Sequence, residues 1–386
     1  MSNEIKSCVF ISNFLNHHQL PFCLEMFSVL GDGFSFIATE KINSERILMG
    51  YRDMNNDYLF VVKSYENDDG YDEAIKLCEE SDIVIIGSAP EIFIEKRIKK
   101  NKLTFKYSER IFKKGKLGIL DPRIIKYIYV NHFRYRSKRV FMLCAGGYAA
   151  SDFALIGAYV NKCYKWGYFP EVKNYDVCEL IASKKGEKLT ILWVGRFLDW
   201  KHPEKALYVA AYLKKNNIDF ILNIIGCGNM EEELKAIAEL HKLKNCINFL
   251  GCLPADIVRE YMEKSEIFLF TSDFNEGWGA VLNEAMNSSC AVVASHAIGS
   301  VPFLINDKIN GLIYRNDSLT DLCEKVMMLV RNPEMRKCYG INAYTTIKMI
   351  WNPKEAALRL LSLTDKLLSN MEVKDLYLSG PCSLCD

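Results

Sequence analysis

EIFLFTSDFNEGWGAVLNEA, residues Glu266 to Ala285, passes from an apolar run of strand length, through a short polar break, into apolar positions at helical spacing. A strand that ends in a loop and re-enters as a helix is half of a βαβ unit, and the alternation continues on both sides. Upstream stand Leu189–Val194 (LTILWV), Phe220–Ile225 (FILNII) and Ile247–Leu250 (INFL); downstream stands Ala291–Ala294 (AVVA). The intervals leave room for one helix each, as at Pro203–Lys215 and Met230–Leu243. Cys8–Ser12 (CVFIS), Ile83–Ile86 (IVII) and Val140–Leu143 (VFML) start the same rhythm in the first half. Strands alternating with helical stretches specify parallel sheets. The expected fold class is α/β, with two Rossmann-like domains facing each other across a cleft.

The predicted organisation follows the turn signals. Residues 1–166 form the first Rossmann-like domain and 188–350 the second. Between them, 167–187 reads as a linker, because it opens on Gly167-Tyr168-Phe169-Pro170 and ends in charges with little periodicity. The remainder, 351–386, holds a helix at Pro353–Leu368 that packs back on the first domain, and a tail.

Composition excludes several classes. The chain has 386 residues, 49% apolar content, 25% charged residues and a net charge of +1, which suits two globular domains with substantial cores. No apolar stretch approaches the roughly 18 residues of a membrane span. The opening MSNEIKSCVFISNF resembles neither a signal nor a transit peptide. The fourteen cysteines therefore read as reduced cytosolic thiols, and the expected location is the cytoplasm. Cys382 and Cys385 form a CxxC pair without a second pair to close a tetrahedral metal site. No metal is expected.

In a parallel sheet, ligands bind beyond the carboxyl ends of the strands, so the residues after each strand carry the chemistry. After LTILWV come Gly195, Arg196 and, five residues further, Lys201. Two cations on one loop can neutralise a diphosphate, or be ordinary solvated charges. After FILNII comes Gly226-Cys227-Gly228, whose glycines either admit a ligand to the main chain or serve only the turn. After EIFLF the chain reaches Glu276 and then Gly277-Trp278-Gly279. A helix starting near Gly277–Gly279 would offer backbone N–H groups to an anion. Glu276 would accept hydrogen bonds from sugar hydroxyls, and Glu284 would lie roughly 12 Å further along the helix.

Taken in order, Gly-Arg-(x4)-Lys at 195–201, Gly-x-Gly at 226–228, Asn248–Gly251, Glu-Gly-Trp-Gly-(x4)-Glu-Ala at 276–285 and Asn310–Ile313 resemble the retaining glycosyltransferases of family 4, which have the GT-B fold. The resemblance covers about residues 189–350. It implies that Arg196 and Lys201 bind the donor diphosphate, that Glu276 lies against the donor sugar and acts in catalysis, and that Glu284 holds the ribose. It also implies that the backbone of Gly277, Trp278 and Gly279 cradles sugar and phosphate, and that Gly251, Cys252 and Leu253 lie against the nucleobase, with Gly226 and Gly228 in the same donor site. Two departures, Gly299-Ser300-Val301-Pro302-Phe303 in place of a glycine pair followed by Pro-Glu, and Trp278 in place of phenylalanine, bear on sugar choice.

Tyr107–Lys116 (YSERIFKKGK) and parts of Ser151–Glu171 resemble a bacterial subset of that family which builds surface polysaccharides. Asn13–Gln19 follows the first strand, so His17 or His18 could assist the acceptor hydroxyl or a donor phosphate as a catalytic residue; the sequence does not choose between them. Lys96–Arg139 carries about sixteen Lys and Arg against two acids, with Phe105, Tyr107, Phe112, Tyr127, Tyr129, Phe133 and Tyr135 interleaved. That composition suits an anionic membrane surface, a solvated face or, less well, nucleic acid; nucleic acid is not expected as a partner. The expected function is transfer of a hexosyl unit from a UDP- or GDP-sugar to a glycan or polyprenyl-diphosphate-linked acceptor, without a cofactor, by a protein peripheral on the inner face of the membrane. A GT-B sugar-nucleotide epimerase and a non-catalytic basic binding module are the alternatives.

Overall fold

β1 (Cys8–Ser12) is five residues long and buried throughout, the pattern of a strand covered on both faces of a parallel sheet. The computed structural model describes residues 5–43, 47, 52–113, 115, 116, 119 and 121–385, and divides into two units, Met1–Glu171 with Trp351–Asp386, and Val172–Ile350. In the first unit β1 is joined by β2 (Phe34–Ala38), β3 (Val61–Lys63), β4 (Ile83–Ile86), β5 (Thr104–Ser108), β6 (Val140–Ala145) and β7 (Cys163–Trp166). They lie in the order β3-β2-β1-β4-β5-β6-β7, every neighbouring pair parallel.

The second unit has β8 (Leu189–Val194), β9 (Phe220–Ile225), β10 (Ile247–Phe249), β11 (Ile267–Phe270), β12 (Ala291–Ser295) and β13 (Leu312–Tyr314). Their order is β10-β9-β8-β11-β12-β13, again all parallel. Each sheet therefore starts in its middle, winds to one edge, and returns to wind to the other. The reversal falls between β1 and β4 in one unit and between β8 and β11 in the other. In open parallel sheets, ligands bind beyond the carboxyl ends of the strands at such a reversal.

The closing helix Pro353–Leu368 is part of the first unit and packs against the helix Leu20–Leu30. Asn352 caps it, accepting from Glu355 N at 2.8 Å. The chain beyond it covers the open edge of β7: Lys165 N donates to Ser383 O and Cys382 N to Lys165 O, both at 2.8 Å. Covering a free strand edge removes a template for pairing with other chains. The CxxC pair thus sits in an edge cover, with Cys382 only 2% exposed.

Three sequence expectations change in detail. Within 167–187, Asp176 accepts from Cys178 N and Glu179 N and starts a helix, Val177–Ser183, so this stretch is more than a connection. The basic segment Lys96–Arg139 is in part core. Its early part includes β5, a strand inside the sheet, so Phe105 and Lys106 are buried, as are Arg97, Phe112 and Tyr135. The buried cations are satisfied locally, Lys106 by Glu91 and Asn131 O, and Arg97 by Cys78 O, Ser81 O, Asp82 O and Leu103 O. Only the helix Pro122–Asn131 keeps aromatics in solvent, Tyr127 and Tyr129 among them. Lys114, Leu117, Gly118 and Leu120 of that segment lie outside the described residues. The third change concerns the helix after β11, described next.

Candidate active site

In the second unit the loops after β8 and β11 meet at the reversal of strand order. Thr271, the first residue after β11, ties them: its hydroxyl accepts from Trp193 Nε1 at 2.8 Å and faces the carbonyl oxygens of Lys201 and His202 at 2.8 and 2.9 Å. Asp273 N donates to Trp200 O at 3.0 Å. His202 takes up a left-handed conformation, φ 51°, which turns the chain from the loop into the helix Pro203–Lys215. These restraints bring Lys201 to Glu276, and the two form an ion pair. Ser272 Oγ donates to the same carboxylate oxygen of Glu276 at 2.9 Å. The pair is largely screened from water, Lys201 with 14% and Glu276 with 10% of the side chain exposed. The ammonium also lies 4.6 Å from the centre of the Trp200 ring.

Arg196 stands at the start of the same loop and is exposed. Its guanidinium makes no hydrogen bond to another described residue. A second cation is thus present on the loop that carries Lys201, at an exposed position.

The glycines serve a need the sequence left open. A Cβ at Gly226 (φ 144°) would stand 1.8 Å from Gly195 O, and one at Gly228 would stand 2.4 Å from Phe197 O. The Gly-x-Gly turn therefore packs against the β8 loop itself. Gly251 has φ 68° with open space around its Cβ position, and its carbonyl accepts from Gly226 N at 2.8 Å. Leu253 follows, partly exposed. After Glu276, Gly277 O is approached so closely by Gly299 that a Cβ there would stand 1.7 Å away. Gly279 has φ 85° and lies against the Phe270 ring.

Trp278 points inward. It is fully buried, its indole Nε1 donating to Asn283 Oδ1 at 2.9 Å, so only its backbone can face a ligand. The helix expected from Gly277–Gly279 begins later, at Val281, and ends at Asn287. Gly279, with its positive φ, cannot be a helical residue, and the helix starts only once the chain has turned past it. Glu284 therefore lies in the first turn rather than two turns along, and the eight-residue interval from Glu276 is not a helical 12 Å.

Glu284 is in a poorly solvated position. Burial raises its carboxyl above the usual value, and the Arg259 guanidinium partly offsets the rise. Arg259, 6% exposed on the helix Ala255–Lys264, is anchored by Asn287 Oδ1. Neither Ser272 nor Arg259 was assigned a role from sequence. Ser272 could have been found from its place directly after a strand; Arg259 carries no local signal.

His17 and His18 belong to the other unit, in the loop after β1, which is the switch point of that sheet. Their rings lie 3.8 Å apart, and His18 stacks on Tyr168 at 6.0 Å. Burial, and secondarily His17, pushes the His18 imidazole down to about 3, and burial also lowers His17. His18 is uncharged at neutral pH.

One pairing runs against the reading of the cysteines as thiols. Cys227 and Cys252 are bridged, joining the turns after β9 and β10. Neighbouring parallel strands deliver both turns to the same end of the sheet, and the sequence interval alone does not reveal that.

Comparison with known proteins completes the description. Residues 181–346 match the family described as glycosyl transferases group 1. The matched residues make up most of the second unit. An uncharacterized glycosyltransferase of Methanocaldococcus jannaschii is 26% identical over 290 residues, covering 72% of this chain and 71% of that protein. A 33% identical stretch of 158 residues, 41% of this chain and 42% of the relative, is shared with the N-acetylgalactosamine-N,N'-diacetylbacillosaminyl-diphospho-undecaprenol 4-alpha-N-acetylgalactosaminyltransferase of Campylobacter jejuni. The chain thus spans less than half of this second relative. Among solved structures, Anabaena HepE in complex with UDP matches with a TM-score of 0.67 at 14% identity, covering 95% of this chain and all of that one. The two-unit architecture is of the GT-B type. The Lys201–Glu276 pair, Arg196 and Glu284 all fall inside the matched residues 181–346.

Proposed function

We propose that the chain is a retaining glycosyltransferase of the family 4 kind, which moves a hexosyl unit from a UDP- or GDP-sugar to a hydroxyl of a glycan or lipid-linked glycan precursor. The observation that carries this reading is the meeting of Lys201, Ser272 and Glu276 at the β8/β11 switch point, with Arg196 exposed on the same loop as Lys201. Arg196 and Lys201 hold the two phosphoryl groups, and the charge that develops on the departing diphosphate falls on these two cations. Lys201 is then shared between diphosphate and Glu276, so the carboxylate is held where it can accept hydrogen bonds from the sugar hydroxyls. The backbone of Gly277, Trp278 and Gly279 lies alongside the sugar. Glu284 accepts from the ribose hydroxyls, and Gly251 and Leu253 bound the base.

The acceptor oxygen attacks the anomeric carbon on the face that the diphosphate leaves. The carbon–oxygen bond to phosphate breaks, and a phosphate oxygen takes the acceptor's proton, so no side-chain nucleophile, metal or other cofactor is used. Burial holds both imidazoles toward the neutral form, so either histidine would act here as a neutral hydrogen-bonding group.

The acceptor half of the reading draws support from the Campylobacter jejuni relative, whose name includes diphospho-undecaprenol. It also draws on the helix Pro122–Asn131, where Ile125, Tyr127 and Tyr129 are exposed beside Arg123 and Lys126. Apolar side chains flanked by cations suit the headgroup region of an anionic membrane, which supports a peripheral position at the cytoplasmic face. Among the described residues no helix is long and apolar enough to cross a membrane. The test is to incubate the protein with an α-linked UDP- or GDP-sugar and a polyprenyl-diphosphate-linked acceptor, and to read the product's anomeric configuration by NMR. An α-linked product supports the proposal; a β-linked product overturns retention.

A further inference from the structure

The Cys227–Cys252 bridge takes part in no step of that chemistry. Cys227 lies between Gly226 and Gly228 in the turn after β9, and Cys252 follows Gly251 in the turn after β10. Because β9 and β10 are parallel neighbours, the two turns emerge side by side, already joined by Gly226 N donating to Gly251 O at 2.8 Å. The Cα atoms stand 5.7 Å apart, a separation that two half-cystines span without backbone movement. Both residues are exposed, whereas Cys8, Cys23, Cys78 and Cys290 are buried thiols that solutes do not reach. Exposed bridges are the ones that exchange with the thiol pool.

We propose that Cys227 and Cys252 form a thiol–disulfide exchange site that sets donor affinity, with a low-molecular-weight disulfide such as oxidised glutathione as its reaction partner. This rests on the donor reading above, in which the turn after β10 bounds the base and the turn after β9 is hydrogen-bonded to it. In the forward direction the thiolate of one cysteine attacks the disulfide reagent and releases one thiol, leaving a mixed disulfide. The second cysteine thiolate then attacks the protein sulfur of that mixed disulfide and releases the second thiol. The pair has lost two electrons and two protons, and the reagent has gained both. Reduction by a dithiol runs the same steps in reverse. The bridged form holds the two turns in register before the nucleotide arrives, so less ordering remains to be done on binding.

The experiment equilibrates the whole chain with oxidised glutathione or with dithiothreitol, maps disulfides by mass spectrometry of a non-reduced digest, and titrates each sample calorimetrically with UDP and GDP. The expected result is a linked Cys227–Cys252 peptide in the oxidised sample only, and a Kd there lower by about threefold or more, the order of freezing one mobile side chain in advance. The Cys227→Ser/Cys252→Ser double variant should bind equally in both conditions, with the affinity of the reduced protein. Absence of the linked peptide, equal or weaker binding by the bridged form, or an undiminished redox effect in the double variant overturns the proposal. If neither nucleotide binds in either state of a folded sample, the donor reading itself fails and this proposal falls with it; binding that ignores redox state removes the exchange site alone.

Discussion

Lys201 serves two partners, and the consequences separate it from Arg196. In the ligand-free protein it neutralises Glu276 in a mostly buried pair. Removing one member of such a pair leaves the other charge poorly solvated, so Lys201→Ala should lower stability by about 1–3 kcal/mol. Arg196→Ala, at an exposed position without a side-chain hydrogen bond among the described residues, should change stability by less than about 0.5 kcal/mol. Denaturant melts of the two variants check this. Glu284 gives an opposite pattern. Its raised carboxyl holds a proton in the folded state at pH values where the unfolded chain has lost it. Its contribution is therefore most favourable below the unfolded value of about 4.5 and declines as pH rises through the folded value. Glu284→Gln should raise the Tm of the ligand-free protein at pH 7 but not at pH 4, while weakening nucleotide binding about 10–100-fold through loss of a charged hydrogen bond. His18 and His132, each pushed down to about 3 by burial first, titrate the other way. The unfolded imidazoles protonate near 6.5 and the folded ones do not, so their stabilisation is complete above that value and is lost as pH falls from 6.5 toward 3. Thermal melts across that window should show the loss, and His18→Asn should flatten it.

At the scale of elements, the turns that bound the site are built to tight tolerances. A Cβ at Gly226 would collide with Gly195 O and must also adopt φ 144°. Gly226→Ala should cost about 2–4 kcal/mol, seen as a drop of roughly 5–15 °C in the second unit's transition. The sequence revealed the strands of this unit well, because each is a short apolar run bounded by turn residues: Leu189–Val194, Phe220–Ile225 and Ile267–Phe270 appear with those bounds. The helices Pro203–Lys215 and Pro353–Leu368 do too, since Pro at the first helical turn marks their starts. β5 was not legible, because Thr104–Ser108 (TFKYS) carries a lysine whose partner, Glu91, is supplied from elsewhere in the fold. The start of the helix before Glu284 was misplaced because Gly279's backbone conformation depends on its contact with Phe270. Of the candidate site, Arg196, Lys201 and Glu276 drew attention from sequence by lying in the loops after β8 and β11, whereas Arg259 did not. The Lys201–Glu276 contact and the Cys227–Cys252 bridge were not legible, because they join loops that are distant in sequence and only sheet order makes them neighbours.

For the whole molecule, the functional weight falls on two surfaces that are tested separately. If the helix Pro122–Asn131 meets an anionic bilayer, Arg123→Glu with Lys126→Glu should reduce binding to phosphatidylserine-containing vesicles about tenfold or more, at roughly 1 kcal/mol per lost cation, and leave soluble-donor binding unchanged. Equal sedimentation of both proteins with those vesicles would leave this helix a solvated face. The central claim, a nucleoside diphosphate sugar at the β8/β11 switch point, is tested most directly by calorimetric titration of the intact chain with UDP, GDP and ADP, alongside Arg196→Ala and the Arg196→Ala/Lys201→Ala double variant. The account predicts that one nucleotide binds, that Arg196→Ala weakens it about 10-fold or more at unchanged Tm, and that the double variant, still folded, loses about 100-fold or more. Absence of binding by any of the three to the folded chain, or undiminished affinity in the double variant, would contradict it.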